Sequence, residues 1–263
     1  IATSGAGPRW LLTTLLFPVG STPSQIAGVV GDLETFCRAW GITLCGGHTE
    51  ITDAVSRPVV AGMMAGTVAR RRLIDKRRMR PGDHLLMTKA AGVEGTAIIA
   101  RELAPELRRQ GMSTAEIARC RDFLNRVSII PESRRAALMP GISAMHDVTE
   151  GGVATALEEL GAAGGCRLRV HVDRLPVYPE TRRVCRLLGI HPLGLIGSGA
   201  LLICCRPKAA RTLLRRLTAD GIDAAVIGEV AERGTGVEAL RNGRRARWPR
   251  FAVDEIARLF AEK

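Results

Sequence analysis

Aromatic residues are scarce in this sequence: five Phe, three Trp and one Tyr make up 3% of 263 residues. Single-stranded nucleic acids are held by stacking bases on aromatic rings, and this chain offers no such platform. Its core must be aliphatic. Lysine is scarce too. Only Lys76, Lys89, Lys208 and Lys263 carry an ammonium group among 38 basic residues, so the formal charge of +12 is largely arginine spread along the chain. A spread of that kind reflects composition more than a dedicated polyanion face, and nucleic acid is not expected as a partner. The densest run, Arg70 to Arg80 (RRRLIDKRRMR), reads as a solvated linker or as a basic rim that draws in phosphorylated ligands.

Other absences narrow the field further. The seven cysteines are odd in number and contain no C-x-x-C pair, which argues for reduced thiols in a cytoplasmic protein and against a disulfide framework. Cys204 and Cys205 are adjacent in a strand-like run and are expected to face opposite ways. None of the five histidines stands at ligand spacing from a cysteine, which argues against zinc. No apolar run approaches the ~20 residues of a membrane helix, so no membrane partner is expected. No signal peptide is visible. The chain opens at Ile1 in mid-motif, and an N-terminal truncation is expected. The G-x-x-x-x-G-K-[ST], G-x-G-x-x-G and G-x-S-x-G signatures are all missing. Gly197-Ser198-Gly199 has no recognisable base and reads as a bend entering a strand.

What is present is a globular composition, 46% apolar, with regular patterning. Thr22-Pro23-Ser24-Gln25 is a capping box with proline at the first helical position. Ile26, Val29, Val30, Leu33, Phe36, Cys37 and Trp40 then share a face up to Gly41, which predicts a helix over 22–40. Ile42 to Cys45 reads as a short strand, Gly46 to Glu50 as a loop, and 58–69 as a buried strand returning from it. The charged segment 70–83 closes in Pro81-Gly82-Asp83 and marks a domain boundary. Strands are expected at 84–89, 166–172, 199–205 and 223–230, and 141–152 reads as strand into loop. Helices are expected from about residue 97 to Leu103, after a second capping box at Ser113 to Glu116, and over 153–160, 179–188, 207–219 and 254–261. Asn242-Gly243 signals a hairpin. The alternation through 84–230 argues for helices layered on a sheet. The expected division is 1–72, 81–232 and a tail, 233–263, with the hairpin and the short helix.

Two loops could carry chemistry. Gly46 and Gly47 would let the backbone approach a ligand, and His48, Thr49 and Glu50 add a titratable ring, a hydroxyl and a carboxylate. A carboxylate suits Mg²⁺, and a hydroxyl with backbone N–H groups suits phosphate; the competing reading is a plain turn. The second loop, Met145 to Gly152, ends a strand and opens a helix, where ligands of open α/β sheets bind and where free N–H groups meet anions. The competing reading makes Asp147 or Thr149 a simple N-cap. Lys89, with Gly92, Glu94, Gly95 and Thr96, is a third strand-to-helix junction.

Four stretches together resemble one superfamily. They are IATSGAGP (1–8), GGHTE (46–50), PGDHLLMTKAAGVEGT (81–96) and HDVTEGG (146–152) followed by HPLGLIGSG (191–199). The superfamily holds aminoimidazole ribonucleotide (AIR) synthase, the hydrogenase maturation factor HypE, selenophosphate synthetase and thiamine-monophosphate kinase, and this chain is most similar to HypE-like, AIR synthase-related proteins. The resemblance implies a two-domain PurM-like fold of α/β (α+β) class, with an incomplete N-terminal half-barrel domain that pairs in a homodimer and a C-terminal α/β sandwich domain. It implies ATP and Mg²⁺ as cofactors, with Gly46, Gly47, His48 and Thr49 at the phosphates and Glu50 on the metal. It also implies Lys89, Thr149, Gly151 and Gly152 in cofactor binding, and Asp147 with His48 in catalysis on a small amide, thioamide or phosphorylated substrate.

The departures are concrete. The Asn-Asp pair that such enzymes use for Mg-ATP would precede Ile1. HypE ends in a cysteine that carries the reacting group, whereas here no cysteine follows Cys205. The competing expectation is therefore a scaffold, or a partner of another maturation protein, that keeps the fold without the nucleotide.

Overall fold

A computed structural model describes residues 1–261, and the chain divides into two compact units, Ile1–Leu73 and Ile74–Lys263. The first unit is a three-stranded sheet with one helix. Strand β1 (Gly7–Pro18) leads through α1 (Pro23–Trp40) into β2 (Thr43–Thr52), and β3 (Val59–Thr67) follows; the sheet order is β2-β1-β3. Strands β1 and β2 are parallel, as the intervening helix requires, and β1 and β3 are antiparallel. The capping box of α1 forms as read: the Thr22 amide donates to Gln25 Oε1 at 2.8 Å, and the Gln25 amide donates to Thr22 Oγ1 at 3.4 Å. Gly41, at φ 65°, closes the helix. Leu11, Cys37 and Ile42 form a small buried core, joined by Leu33, Trp40, Leu44 and Met64.

Two expectations fail in this unit. The stretch Gly46 to Glu50 is not a loop but the middle of β2, in register with Leu12 to Leu16 of β1. The glycine pair permits this. A Cβ on Gly47 would lie 1.8 Å from the Thr13 carbonyl oxygen, so only glycine lets the two backbones run this close. Strand β3 is not buried either: its first five residues are exposed. One helix on a three-stranded sheet covers one face only.

The second unit is built on a seven-stranded sheet in the order β10-β9-β6-β8-β4-β7-β5. Its strands are β4 (His84–Thr88), β5 (Ile142–Asp147), β6 (Cys166–His171), β7 (Leu201–Cys205), β8 (Ala224–Arg233), β9 (Val237–Arg241) and β10 (Arg244–Ala246). Its helices are α2 (Val93–Glu102), α3 (Ala104–Arg109), α4 (Thr114–Asp122), α5 (Ile130–Ala137), α6 (Gly152–Gly164), α7 (Pro179–Leu188), α8 (Pro207–Ala219) and α9 (Glu255–Ala261). Every ladder is antiparallel except β6 with β9.

Central strands are buried on both faces. Leu85 and Met87 of β4, with Leu202 and Cys204 of β7, join the core under α6; Leu86, Leu201, Ile203 and Cys205 join the core that includes Leu213 and Leu217 of α8. The two neighbouring cysteines thus lie in different cores, as their alternation requires. The terminal stretch is integral to this unit, because β9 and β10 complete the sheet and Asn242 (φ 50°) with Gly243 (φ 74°) makes the turn between them. Among the described residues no helix is long and apolar enough to cross a membrane.

Candidate functional site

In the first unit, β2 sorts the three polar side chains by its two-residue period. His48 and Glu50 share a face, with Nε2 3.5 Å from Oε2, and both are more than half exposed (65% and 54%). Thr49 is turned to the opposite face by the same alternation. The loop reading would have gathered all three. A cavity of about 340 Å³ opens beside His48, lined by Leu12, Thr14, Gly47, Ala61 and Met63 among others. Glu50 offers one carboxylate, and among the described residues no three His, Cys, Asp or Glu side chains gather as a metal cage. Magnesium commonly takes one or two protein carboxylates and completes its shell with water and substrate phosphates. Glu50 fits such a role as a single ligand and not as a resident metal site.

In the second unit, three glycine-bearing segments interlock: 90–96, 147–152 and 193–200. The Gly95 amide donates to Ile196 O at 3.0 Å, Gly197 N to Thr149 O at 3.4 Å, and Val148 N to Ala200 O at 3.1 Å. A Cβ on Gly152, at φ 62°, would meet Leu193 O at 2.6 Å and Leu195 O at 2.7 Å. The glycines that resembled ligand cradles are therefore used first to pack these loops against each other. The strand-end argument also changes. In a parallel sheet the carboxyl ends line up, whereas here β5 pairs antiparallel with β7, so Asp147 stands opposite Leu201 at the start of its neighbour.

The N-cap reading fails as well. Helix α6 is entered through Gly151 at φ 74°, without a side-chain cap from Asp147 or Thr149. Gly152 N donates to Thr149 O at 3.1 Å, and Gly151 N donates to Asp254 Oδ2 at 2.7 Å. Asp147 is half-buried and its carboxylate has no hydrogen bond to another described residue. Next to it, His146 is held from both sides: Lys76 Nζ lies 2.7 Å from Nδ1, and Glu159 Oε2 lies 3.1 Å from Nε2. Burial pulls the Lys76 ammonium below its ordinary value, while the charges of Asp147 and Glu159 oppose that shift.

Lys89 is engaged inside the second unit. Its ammonium donates to Glu132 Oε1 at 2.6 Å, Ser128 O at 2.8 Å and Gly199 O at 2.9 Å, which accounts for all three protons. With Glu132 fully buried, this is an internal ion pair that ties β4 to α5. Lys76, Glu159 and Asp254 were missed from sequence. Lys76 carried one signal, as the single lysine within the arginine run 70–80.

A three-stranded half-barrel sheet followed by a mixed seven-stranded sheet with interlocked glycine loops is the PurM-like architecture. The chain belongs to the AIR synthase related protein family, whose N-terminal domain matches residues 1–68 and whose C-terminal domain matches residues 80–240. Carbamoyl dehydratase HypE of Escherichia coli (strain K12) is 31% identical over 238 residues, which are 89% of this chain and 67% of that protein. The crystal structure of E. coli HypE superposes with a TM-score of 0.84 at 26% identity, covering 98% of this chain and 78% of that one. A HypE crystallised in complex with ATP shares the fold at a TM-score of 0.80 and 22% identity, covering 97% of this chain and 77% of that one.

Proposed function

We propose that the chain performs ATP-dependent activation of a carboxamide oxygen, with Asp147 as the group that accepts a proton from the amide nitrogen. An amide oxygen that takes the γ-phosphoryl group of ATP becomes a phosphate leaving group. Loss of that phosphate as a nitrile forms requires the nitrogen to shed its protons. A carboxylate serves this step if it is shielded, fixed by its backbone and free of competing bonds. Asp147 meets those conditions, and this observation carries the reading: it is half-buried at the end of β5, with no hydrogen bond on its carboxylate among the described residues, while the next amide, Val148 N, is bound to Ala200 O. The names of the relatives support the class: one is a carbamoyl dehydratase, and one HypE was crystallised with ATP. In this reading His48 and the Gly46–Gly47 backbone belong to the nucleotide phosphates and Glu50 to their Mg²⁺, while Thr49, on the opposite face of β2, stays outside that site. Thr149, Gly151 and Gly152 shape the loop that carries Asp147.

Calorimetric titration with Mg-ATP, together with ADP release in the presence of simple carboxamides and a carbamoylated thiol, tests this. The expected outcome is sub-millimolar nucleotide binding and carboxamide-dependent turnover. Asp147→Asn is expected to lose about a hundredfold or more in kcat while melting within a few degrees of the parent. No nucleotide binding tighter than millimolar overturns the reading and favours a scaffold that keeps the fold alone.

We also propose that the chain works as a homodimer joined through the sheet of its first unit. The support is the uncovered apolar face there, where Leu12 and Met63 stand opposite each other, 36% and 63% exposed.

A further inference from the structure

We propose that Asp254 is a positioning residue of the candidate site: its carboxylate clasps the loop that carries Asp147 to the Leu193–Gly197 segment. The stretch that precedes α9 then becomes a working part of the site. Asp254 Oδ2 accepts from Gly151 N at 2.7 Å, and Oδ1 accepts from Ile196 N at 3.2 Å and from Ile256 N at 2.8 Å. One side chain thereby joins three stretches, two of them 103 and 58 residues away in sequence.

The chemistry of the acceptor matters. Gly151 N sits at the entry of α6, where the N-cap residue is a glycine with no capping side chain of its own and the helix dipole favours a negative charge. Bonds from backbone N–H to a carboxylate are among the stronger ones a protein makes. A neutral amide at this position would turn an NH₂ group toward one of the donors.

The clasp is itself anchored on both sides. Ahead of it, Phe251 lies so close over Gly194 that a Cβ there would be 2.6 Å from the ring, and its ring centroid stands 5.5 Å from that of His191. Arg250 reaches Glu158 of α6 at 3.1 Å. Behind it, Glu255 accepts from His191 N at 3.0 Å and pairs with Arg258 at 2.8 Å. Asp254 is therefore delivered to the loop by packing rather than by chance exposure. Between Asp147 and Gly151, the Thr149 carbonyl already accepts from Gly152 N and Gly197 N. The Asp254 bonds add a tie at the helix end of the same loop.

The simpler role for Asp254 is to cap α9 through Ile256 N, and the variants are chosen to separate the two. Serine and asparagine both cap helices well. Asp254→Ser keeps a cap but presents one oxygen that does not span the two loop amides. Asp254→Asn keeps size and cap but opposes a donor at Gly151. The catalytic half of the proposal rests on the function assigned to Asp147 above; the structural half does not. Amide hydrogen exchange at Gly151 and Ile196, read on the full chain, decides the structural half. In both variants Gly151 exchange is expected to accelerate about tenfold or more, while the Arg258 amide inside α9, which donates to Asp254 O, keeps its protection. Carboxamide-dependent ADP release decides the catalytic half: kcat is expected to fall about tenfold to a hundredfold, with KM for ATP changed less than about twofold. Unchanged Gly151 exchange overturns the clasp, and so does loss of protection confined to α9. Accelerated exchange with unaltered kcat overturns the positioning role. If the parent protein shows no turnover, the function assigned above falls, and the Gly151 exchange still decides whether Asp254 holds the loop.

Discussion

His146 shows how much of this molecule's chemistry depends on single contacts. The Lys76 ammonium has only donors, so its 2.7 Å bond makes Nδ1 the acceptor and leaves the proton on Nε2, directed at Glu159. The same lysine places a cation within the field of Asp147. The cysteines illustrate the opposite case, side chains whose chemistry is switched off by burial. Burial, with the Glu180 charge adding, pushes the Cys120 thiol up to about 11. Burial likewise carries Cys185 and Cys205 to about 12, and Cys204 well above its ordinary 9.0. A thiol raised in the fold contributes stability that is fully present below the unfolded value near 9 and is lost as pH climbs toward the folded value. Each thiol that ionises only in the unfolded chain costs about 1.4 kcal/mol per pH unit in that window. Lys76 acts the other way, since the cost of burying its charge lifts as pH rises toward 10.5; one ammonium does not offset four thiols. Urea unfolding under reductant should therefore show stability falling steeply from pH 9 to 10.5. The slope should flatten in a Cys185→Ala/Cys204→Ala variant. A parent protein equally stable at pH 8 and 10.5 would refute this account.

At the scale of elements, the helices were legible because their signals are local. Both capping boxes form with both of their bonds, and α7 and α8 span the residues that the periodicity marked. The sheets were less legible. The sequence pattern marks no strand over β1 and ends β2 at its glycine pair, because a sequence shows glycine as a breaker and not as room for a neighbouring strand. Strand order and the antiparallel ladders depend on pairs far apart in the chain. The site divides in the same way. The Asp147 loop could be found from its own residues, whereas Lys76 bonds His146 across 70 positions and Asp254 reaches Gly151 across 103. The glycines were visible, but their reason was not, and a matched pair of substitutions isolates it. Gly152 and Gly165 bracket α6 at nearly equal φ, 62° and 60°, yet a Cβ on Gly152 meets two carbonyl oxygens while one on Gly165 meets nothing within 4 Å. Gly165→Ala should then cost only the left-handed strain, about 1 kcal/mol. Gly152→Ala should cost about 3 kcal/mol or more, because backbone must move as well. Equal losses in urea unfolding would show that the loops do not pack as described.

At the scale of the whole molecule, the first unit leaves more sheet uncovered than an isolated chain tolerates well. Its order, β2-β1-β3, makes both outer strands edges, of ten and nine residues, and among the described residues neither pairs outward with another strand. Long edges with exposed apolar side chains recruit further strands unless charge or covering blocks them. Here Met63 is 63% exposed, Val60 48% and Ile51 51%, so the exposure is distributed over both outer strands. A second copy of the chain, as proposed above, would satisfy these strands symmetrically, since a two-fold contact uses the same patch on each partner. Sedimentation should accordingly find a dimer at micromolar concentration, weakly sensitive to salt because the contact is apolar. Met63→Glu places a charge on that face at a position exposed in the single chain, so it should leave the fold within about 0.5 kcal/mol of the parent and shift the protein to monomer. A parent that sediments as a monomer at tens of micromolar, or a Met63→Glu variant that remains dimeric, would exclude this face as the interface.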